Sequence, residues 1–259
     1  MKLAEQDSLE GRVALITGSG SGQGRAAAAK FAERGAAIAV NDINDEGAAE
    51  TVRMVEEGGG EAVAIHADVS VLEDVESMIA RVDERWGRLD VLYNNAAVQK
   101  SGRLLECTTE QWDLTIATNL DAVFWACRAA IPLMQRDGTG SIINTASVLG
   151  LIGSEGYCAY GAAKAGLVAL TRQIAVEYGP EIRANVIAPG SINTPRFQKV
   201  AEAMDDPDGF VRGLESMIPL KRLSTAEDVA GIATFLATDA SAYVSGAILP
   251  ADGGLAALR

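Results

Sequence analysis

The sequence predicts an α/β fold, a doubly wound parallel sheet with helices on both faces. Three observations carry that prediction. Short apolar runs alternate with longer helical stretches along the whole chain. Alternation of this kind builds a parallel sheet through right-handed crossovers. A glycine-rich turn, Gly18 to Gly24, closes the first apolar run and opens the first helix. No linker or composition break divides the 259 residues, so residues 1–259 read as one domain, long enough to bury its own core.

The elements follow in order. Arg12–Thr17 (RVALIT) is a continuous apolar run and the first strand. Gly22–Gly35 is Ala-rich and helical. Ala36–Asn41 is the second strand, and Asn44–Glu57 a polar helix with Asn44 placed to cap it. Glu61–Ala67 is the third strand and Leu72–Trp86 the next helix. Leu89–Tyr93 is the fourth strand, followed by one long helix over Glu110–Gln135. Ser141–Thr145 is the fifth strand, Tyr157–Tyr178 a helix, and Arg183–Ile187 the sixth strand. Ala226–Thr238 is the last helix and Ala247–Leu249 the final strand. The stretch from Asn193 to Pro219 breaks the rhythm. It holds Pro195, Pro207, Gly209, the acidic pair Asp205-Asp206 and the apolar Phe197, Met204, Phe210 and Met217. An insertion of this length in a compact domain reads as a lid or binding loop.

Composition removes several chemistries. With one histidine, His66, one chain cannot build a two-histidine metal site. A Ser-His-Asp triad would have to use His66, and no G-x-S-x-G elbow is present. Cys107, Cys127 and Cys158 are odd in number and lack C-x-x-C spacing, which argues against a disulfide framework and for a reducing cytoplasm. The net charge of −13 argues against nucleic acid and anionic membranes as partners. Met1–Arg12 is charged and lacks the apolar run of a secretory signal, and no stretch is long enough to span a bilayer.

Thr17-Gly18-Ser19-Gly20-Ser21-Gly22-Gln23-Gly24 has the composition of a turn that lets backbone approach a pyrophosphate at a helix N-terminus. A flexible turn without a ligand is the alternative. Asp42 ends the second strand, 24 residues after Gly18. A carboxylate there can accept from both ribose hydroxyls and repels a 2′-phosphate. Its alternative is a helix cap, for which Asn44 is better placed. No Lys or Arg stands at Ser19, Ser21 or Ile43 to meet a phosphate, so NAD is expected rather than NADP. Asp68-Val69 closes the third strand, where Asp68 either accepts from an adenine amino group or caps the helix after Ser70. Asn94-Asn95-Ala96-Ala97 ends the fourth strand, where small residues admit a ribose and an amide can tie neighbouring strands together.

Tyr160 and Lys164 stand at i, i+4 on a predicted helix and so share a face. An ammonium near a phenol favours the phenolate, which predicts a lowered Tyr160 pKa and a phenol able to exchange a proton with a substrate oxygen. Tyr157 is a rival phenol, but its i+4 residue is Gly161. Ser147 ends the fifth strand, 13 residues before Tyr160, where it either orients a carbonyl or caps a turn. Asn119, inside the long helix, is either a surface amide or the holder of a water near Lys164.

Thr17-Gly18-x-x-x-Gly22-x-Gly24, Asn94-Asn95-Ala96, Asn119, Ser147, Tyr160-x-x-x-Lys164 and Pro189-Gly190 stand in the order and spacing of the short-chain dehydrogenase/reductase family. The chain resembles that family from Gly11 to Asp252-Gly253-Gly254. The resemblance implies a single Rossmann-type domain with a seven-stranded parallel sheet and a nicotinamide cofactor. It implies an Asn119-Ser147-Tyr160-Lys164 tetrad, with Ile192 and Thr194 touching the nicotinamide carboxamide and a phosphate. It also implies a homotetramer packed through the long helices and the C-terminal strand. Two departures stand out. Ala97 replaces the usual glycine and adds a methyl near the cofactor ribose. Gln23 replaces the usual aliphatic residue, although its backbone N–H still serves a phosphate.

The expected activity is NAD-dependent interconversion of a secondary alcohol and a ketone. Val98, Leu149, Leu151, Ile152, Tyr157, Phe197 and Met204 are the expected pocket, and mostly apolar walls suit a small uncharged or cyclic substrate. Glu155 is a polar exception that either binds a second hydroxyl or is solvated, so a sugar or polyol substrate stays open. The alternatives are a 3-oxoacyl thioester reductase, whose acidic carrier the net charge disfavours, and an NAD-binding regulatory scaffold, which has no need of Tyr160 and Lys164 together. A sugar-nucleotide epimerase is disfavoured by glycine spacing and chain length.

Overall fold

A computed structural model describes residues 6–258. Part of the stretch read as lacking a signal, residues 1–5, lies outside the described residues, as does Arg259. Seven strands, β1 (Val13–Thr17), β2 (Ala37–Asp42), β3 (Ala62–His66), β4 (Val91–Asn94), β5 (Gly140–Thr145), β6 (Ile182–Pro189) and β7 (Ile248–Ala251), form one sheet. Its order is β3-β2-β1-β4-β5-β6-β7, and every pairing is parallel. This is the Rossmann-like arrangement the sequence predicts. The chain winds outward in opposite directions from the β1/β4 pair, and a ligand crevice opens beyond the carboxyl ends of strands at such a switch point.

Central strands read as unbroken apolar runs because both of their faces are covered. All five residues of β1 and all four of β4 are buried. One face carries α1 (Gly22–Ala32), α2 (Asp45–Glu57) and α9 (Ala226–Ala237), which bury Phe31, Val55 and Leu236. The other carries α3 (Leu72–Trp86), α5 (Ala122–Arg136) and α6 (Cys158–Glu177), which bury Met78, Met134 and Leu167. Capping fixes several starts. The Asn44 side chain accepts from the Gly47 N–H at 2.9 Å, which confirms it as the α2 cap. Thr108 and Gln111 form a capping box at α4 (Thr109–Ile116), and Thr225 and Asp228 form one at α9.

One expectation is corrected, and one stretch proves to hold regular structure. The single helix over Glu110–Gln135 is two helices, α4 and α5, joined by a π-helical turn at Ala117–Asp121. The turn arises where the Asn119 amide donates to the Thr115 carbonyl and to Val98, outside the helix. The stretch Asn193–Pro219 is mostly helical, with α7 (Pro195–Glu202) and α8 (Pro207–Met217). Its prolines occupy the first turns, where a missing N–H is no loss. Thr194 and Asp206 cap the two helices.

Candidate active site

The glycine loop is held from below. The Ser19 hydroxyl donates to the Ile16 carbonyl at 2.7 Å and its N–H to the Asn41 carbonyl at 2.9 Å. Gly18 has φ +62°, and a Cβ there would lie 2.8 Å from Ala96 Cα. A Cβ at Gly24 would lie 2.5 Å from the Gly18 carbonyl oxygen. The loop thus lies directly against the end of β4. Asn95 completes the joint: its side-chain amide donates to the Thr17 and Gly18 carbonyls at 2.9 and 3.1 Å. The Thr17 hydroxyl accepts from the Asn95 and Ala96 N–H groups. Gln23 donates to Asn95 Oδ1 at 2.6 Å, and its own carbonyl oxygen is buried without a partner. The tight turns, the helix start at Gly22 beside Ser21, and that orphaned acceptor fit a dinucleotide lying across the loop.

Asp42 faces the loop. Its carboxylate accepts from the Gly20 N–H at 2.8 Å and the Asn44 N–H at 2.9 Å. Ile43 beside it is 62% exposed. Arg25, which reaches the same loop, is engaged with the Thr51 hydroxyl and the Gly20 and Gly47 carbonyls. Asp68 closes a local turn, accepting from the Ser70 N–H at 2.9 Å and hydroxyl at 2.7 Å. Asp68 therefore does not cap the following helix, whose first turn is preceded by Val71 without a side-chain cap bond. The Val69 side chain packs in the core, so any ligand contact there falls to its backbone.

Asn119, Ser147, Tyr160 and Lys164 gather around the ends of β4 and β5. Asn119 is fully buried. Its amide donates to the Val98 and Thr115 carbonyls, both at 2.8 Å, and its Oδ1 has no partner. Ser147 caps the turn Val148–Gly150, accepting from the Leu149 N–H at 3.2 Å, and lies close enough to the Tyr160 phenol to pull its pKa down. Lys164 is 1% exposed, its Nζ donates to the Thr145 carbonyl at 2.7 Å, and it stands 5.5 Å from the Tyr160 ring centre.

The expected lowering of the Tyr160 pKa is overturned. Burial raises it; the Arg196 guanidinium and the Ser147 hydroxyl pull it down, and the neighbouring Tyr157 phenol pushes it up. Burial of the phenol is the main cause, and Lys164 is itself shifted. Burial first, and Arg196 second, lower its pKa to about 7, so at neutral pH the ammonium that was to stabilise the phenolate is only partly present. Sequence reasoning missed Arg196. It sits in the first turn of α7 and reaches across to the Ala97 and Gln99 carbonyls at 3.2 and 3.3 Å. Only the folding of α7 brings it there, so no local sequence signal pointed to it.

The remaining predicted residues border this group. Pro189 ends β6, and the Gly190 N–H donates to Ala251 at 3.1 Å. Ile192 packs with the core and bridges to Ser224. Thr194 lies opposite the loop, with its Cγ2 3.4 Å from where a Gly22 Cβ would stand. Leu149 and Tyr157 flank Tyr160, the Leu149 carbonyl oxygen lying 3.1 Å from a Gly161 Cβ position. Phe197 of α7 stacks on Phe210 of α8 with ring centres 6.1 Å apart. Glu155 is neither a free acceptor nor merely solvated: it forms an exposed ion pair with Arg103. A separate cavity of about 580 Å³ lies between the segment after α8 and the end of β7, and of the site residues' neighbourhood it includes only Ser191. Among the described residues no three His, Cys, Asp or Glu side chains are grouped to hold a metal ion.

Comparison with known proteins adds to this geometry. Residues 18–256 match a protein family described as Enoyl-(Acyl carrier protein) reductase. The 3beta-hydroxysteroid dehydrogenase 1 of Eggerthella lenta is 39% identical, over 96% of this chain and 95% of its own. The crystal structure of levodione reductase superposes with a TM-score of 0.93 at 36% identity, covering 96% of this chain and 99% of that one. The structure of a putative NAD(P)-dependent gluconate 5-dehydrogenase from Beutenbergia cavernae, with NADP bound at low occupancy, superposes with a TM-score of 0.91. Its identity is 35%, over 97% of this chain and 99% of that one.

Proposed function

The chain belongs to the short-chain dehydrogenase/reductase family, an oxidoreductase family that binds a nicotinamide cofactor, and from that premise we propose that it interconverts a secondary alcohol and a ketone with NAD. One observation carries the proposal: the Tyr160 phenol stands beside the buried Lys164, whose Nζ is 5.5 Å from the ring centre and is held by the Thr145 carbonyl at the carboxyl end of β5. A bound nicotinamide would supply or take up the hydride of this reaction. Tyr160 exchanges the proton with the substrate oxygen. The Ser147 hydroxyl donates to the same oxygen and fixes its place. Lys164 supplies a donor near the phenol and to the cofactor ribose. The orphaned Asn119 oxygen holds the water that connects the phenol region to solvent. The Gly18–Gly24 turn with Asn95, Ala96 and Ala97 would hold the dinucleotide, with Ile192 and Thr194 toward its nicotinamide end.

NAD rather than NADP follows from Asp42. A 2′-phosphate would face its carboxylate, and Arg25 is already committed to backbone and Thr51. Asp42→Ala should cut the NAD-over-NADP preference about 10- to 100-fold, the worth of one or two hydrogen bonds to a charged group. Steady-state kinetics with both cofactors measures it, and an unchanged ratio overturns the assignment.

A small, uncharged or cyclic alcohol suits Val98, Leu149 and Tyr157 beside Tyr160, and related proteins named for levodione and a hydroxysteroid act in that sense. Arg196 favours a second reading. Its guanidinium has no carboxylate partner among the described residues and lies close enough to lower the pKa of both Tyr160 and Lys164. That suits an anionic hydroxy acid, as in the gluconate-named neighbour. An NADH absorbance screen with cyclic, aliphatic and sugar-acid alcohols, repeated with Arg196→Ala, separates the two. Turnover of cyclic alcohols that survives the substitution supports the first. Turnover of acids that is lost with Arg196 supports the second. Cofactor binding with no turnover in any class returns the scaffold alternative. We place the protein in the cytoplasm: its cysteines are free, and no described helix is long and apolar enough to cross a membrane.

A further inference from the structure

We propose that Cys107 and Cys158 are a redox-sensitive pair that closes to a disulfide when a small-molecule disulfide accumulates, tying together two segments that flank the active site. The two cysteines are remote in sequence but share one neighbour, Gly102. The Cys158 thiol donates to the Gly102 carbonyl at 3.5 Å. A Cβ at Gly102 would lie 3.4 Å from Cys107 Cα and 3.7 Å from Cys107 Cβ. Gly102 is itself bridged to Tyr157, and its N–H donates to the Gly156 carbonyl at 2.7 Å. The Arg103–Glu155 ion pair spans the same gap. These contacts hold the cysteine-bearing segments together before any covalent bond forms. Both thiols are partly exposed.

The chemistry balances as an exchange. One cysteine thiolate attacks a sulfur of the external disulfide, forming a mixed disulfide and releasing one thiolate. The second cysteine, deprotonated, attacks the protein sulfur and releases the other. The protein loses two hydrogens and two electrons, and the external disulfide is reduced to two thiols. Partial burial first, and the nearby Cys158 thiol second, raise the Cys107 pKa. A low thiolate fraction keeps the pair open until the oxidant persists. Cys158 opens α6 two residues before Tyr160, so the bond would anchor the start of the helix that carries the phenol. Cys127 serves as an internal control: it is buried, and burial pushes its thiol up to about 12.

The inference does not rest on the assigned reaction, and its test reads mass alone. The full chain is incubated with excess oxidised glutathione, then denatured, alkylated and analysed by mass spectrometry and peptide mapping. The expected product is lighter by two hydrogens, keeps one of three alkylatable thiols, at Cys127, and yields a peptide joining Cys107 to Cys158. Cys107→Ser and Cys158→Ser should each instead retain one glutathione on the remaining partner. Wild-type chain that keeps all three thiols, or that carries glutathione on either cysteine without the crosslink, overturns the proposal.

Discussion

Burial of Tyr160 and of Lys164 shifts each pKa against its charged form. Tyr160→Phe should lower turnover about 10²- to 10⁴-fold, the usual share of one general acid–base group, and leave cofactor affinity in a calorimetric titration unchanged. Near-normal turnover overturns its role. Lys164 gives a stability prediction with a definite sign. Its pKa is 10.5 as a free side chain and about 7 in the folded chain. Between these values the unfolded chain binds more protons, so this group makes folding progressively more favourable as pH rises from about 7 to 10.5. Below 7 its burial penalty is fully present. Urea melts of wild type and Lys164→Met should show wild type gaining on the variant across that window, and a constant gap overturns the shift. The pair was legible because i, i+4 spacing is local. The sign of the Tyr160 shift was not, because it depends on burial and on Arg196, which arrives from another helix.

Among the elements, the strands and most helices were legible because apolar runs and caps are local signals. The π-helical turn at Asn119 was not: it needs the Val98 carbonyl, 21 residues away, to receive the amide. Helices α7 and α8 were hidden by their prolines, which read as breakers but act as first-turn residues. The caps should be separable in energy. Thr225→Ala removes one half of the α9 box and should cost about 1 kcal/mol in chemical denaturation, with kinetics unchanged because α9 packs away from Tyr160. Gly24→Ala should be more severe. Its new methyl meets the Gly18 oxygen at 2.5 Å and the Asn95 amide at 2.7 Å, which costs about 1–3 kcal/mol as overpacking and should weaken cofactor binding in the same protein. Full cofactor affinity in a folded Gly24→Ala variant would overturn the joint between loop and β4.

At the scale of the whole molecule, the doubly wound parallel sheet was legible because alternation along the chain dictates it, and the structure has it. Association was not legible from the residues themselves and came only with the resemblance. We propose the homotetramer on the apolar surface that the fold leaves open. Trp112 and Leu114 on α4, Phe124 on α5 and Val176 on α6 are exposed, as are Phe235 on α9 and Tyr243 before β7, the unpaired edge of the sheet. Light scattering on the purified protein should give four times the chain mass. Phe124→Glu should reduce it, because a charge would then sit in an apolar contact, and a monomeric wild type overturns the proposal.

A line of amides runs through the centre of this sheet. Asn94 on β4 donates to Asn144 on β5 at 2.8 Å, Asn144 donates to the Thr171 hydroxyl on α6 at 2.9 Å, and that hydroxyl donates to Leu167 at 2.7 Å. Aliphatic neighbours would pack almost equally well one residue out of step. These polar groups do not: a slipped β4 turns Asn94 to the opposite face and strands the amides in a core without water. The line therefore favours one alignment of β4 on β5 over slipped ones that hydrophobic burial alone would tolerate.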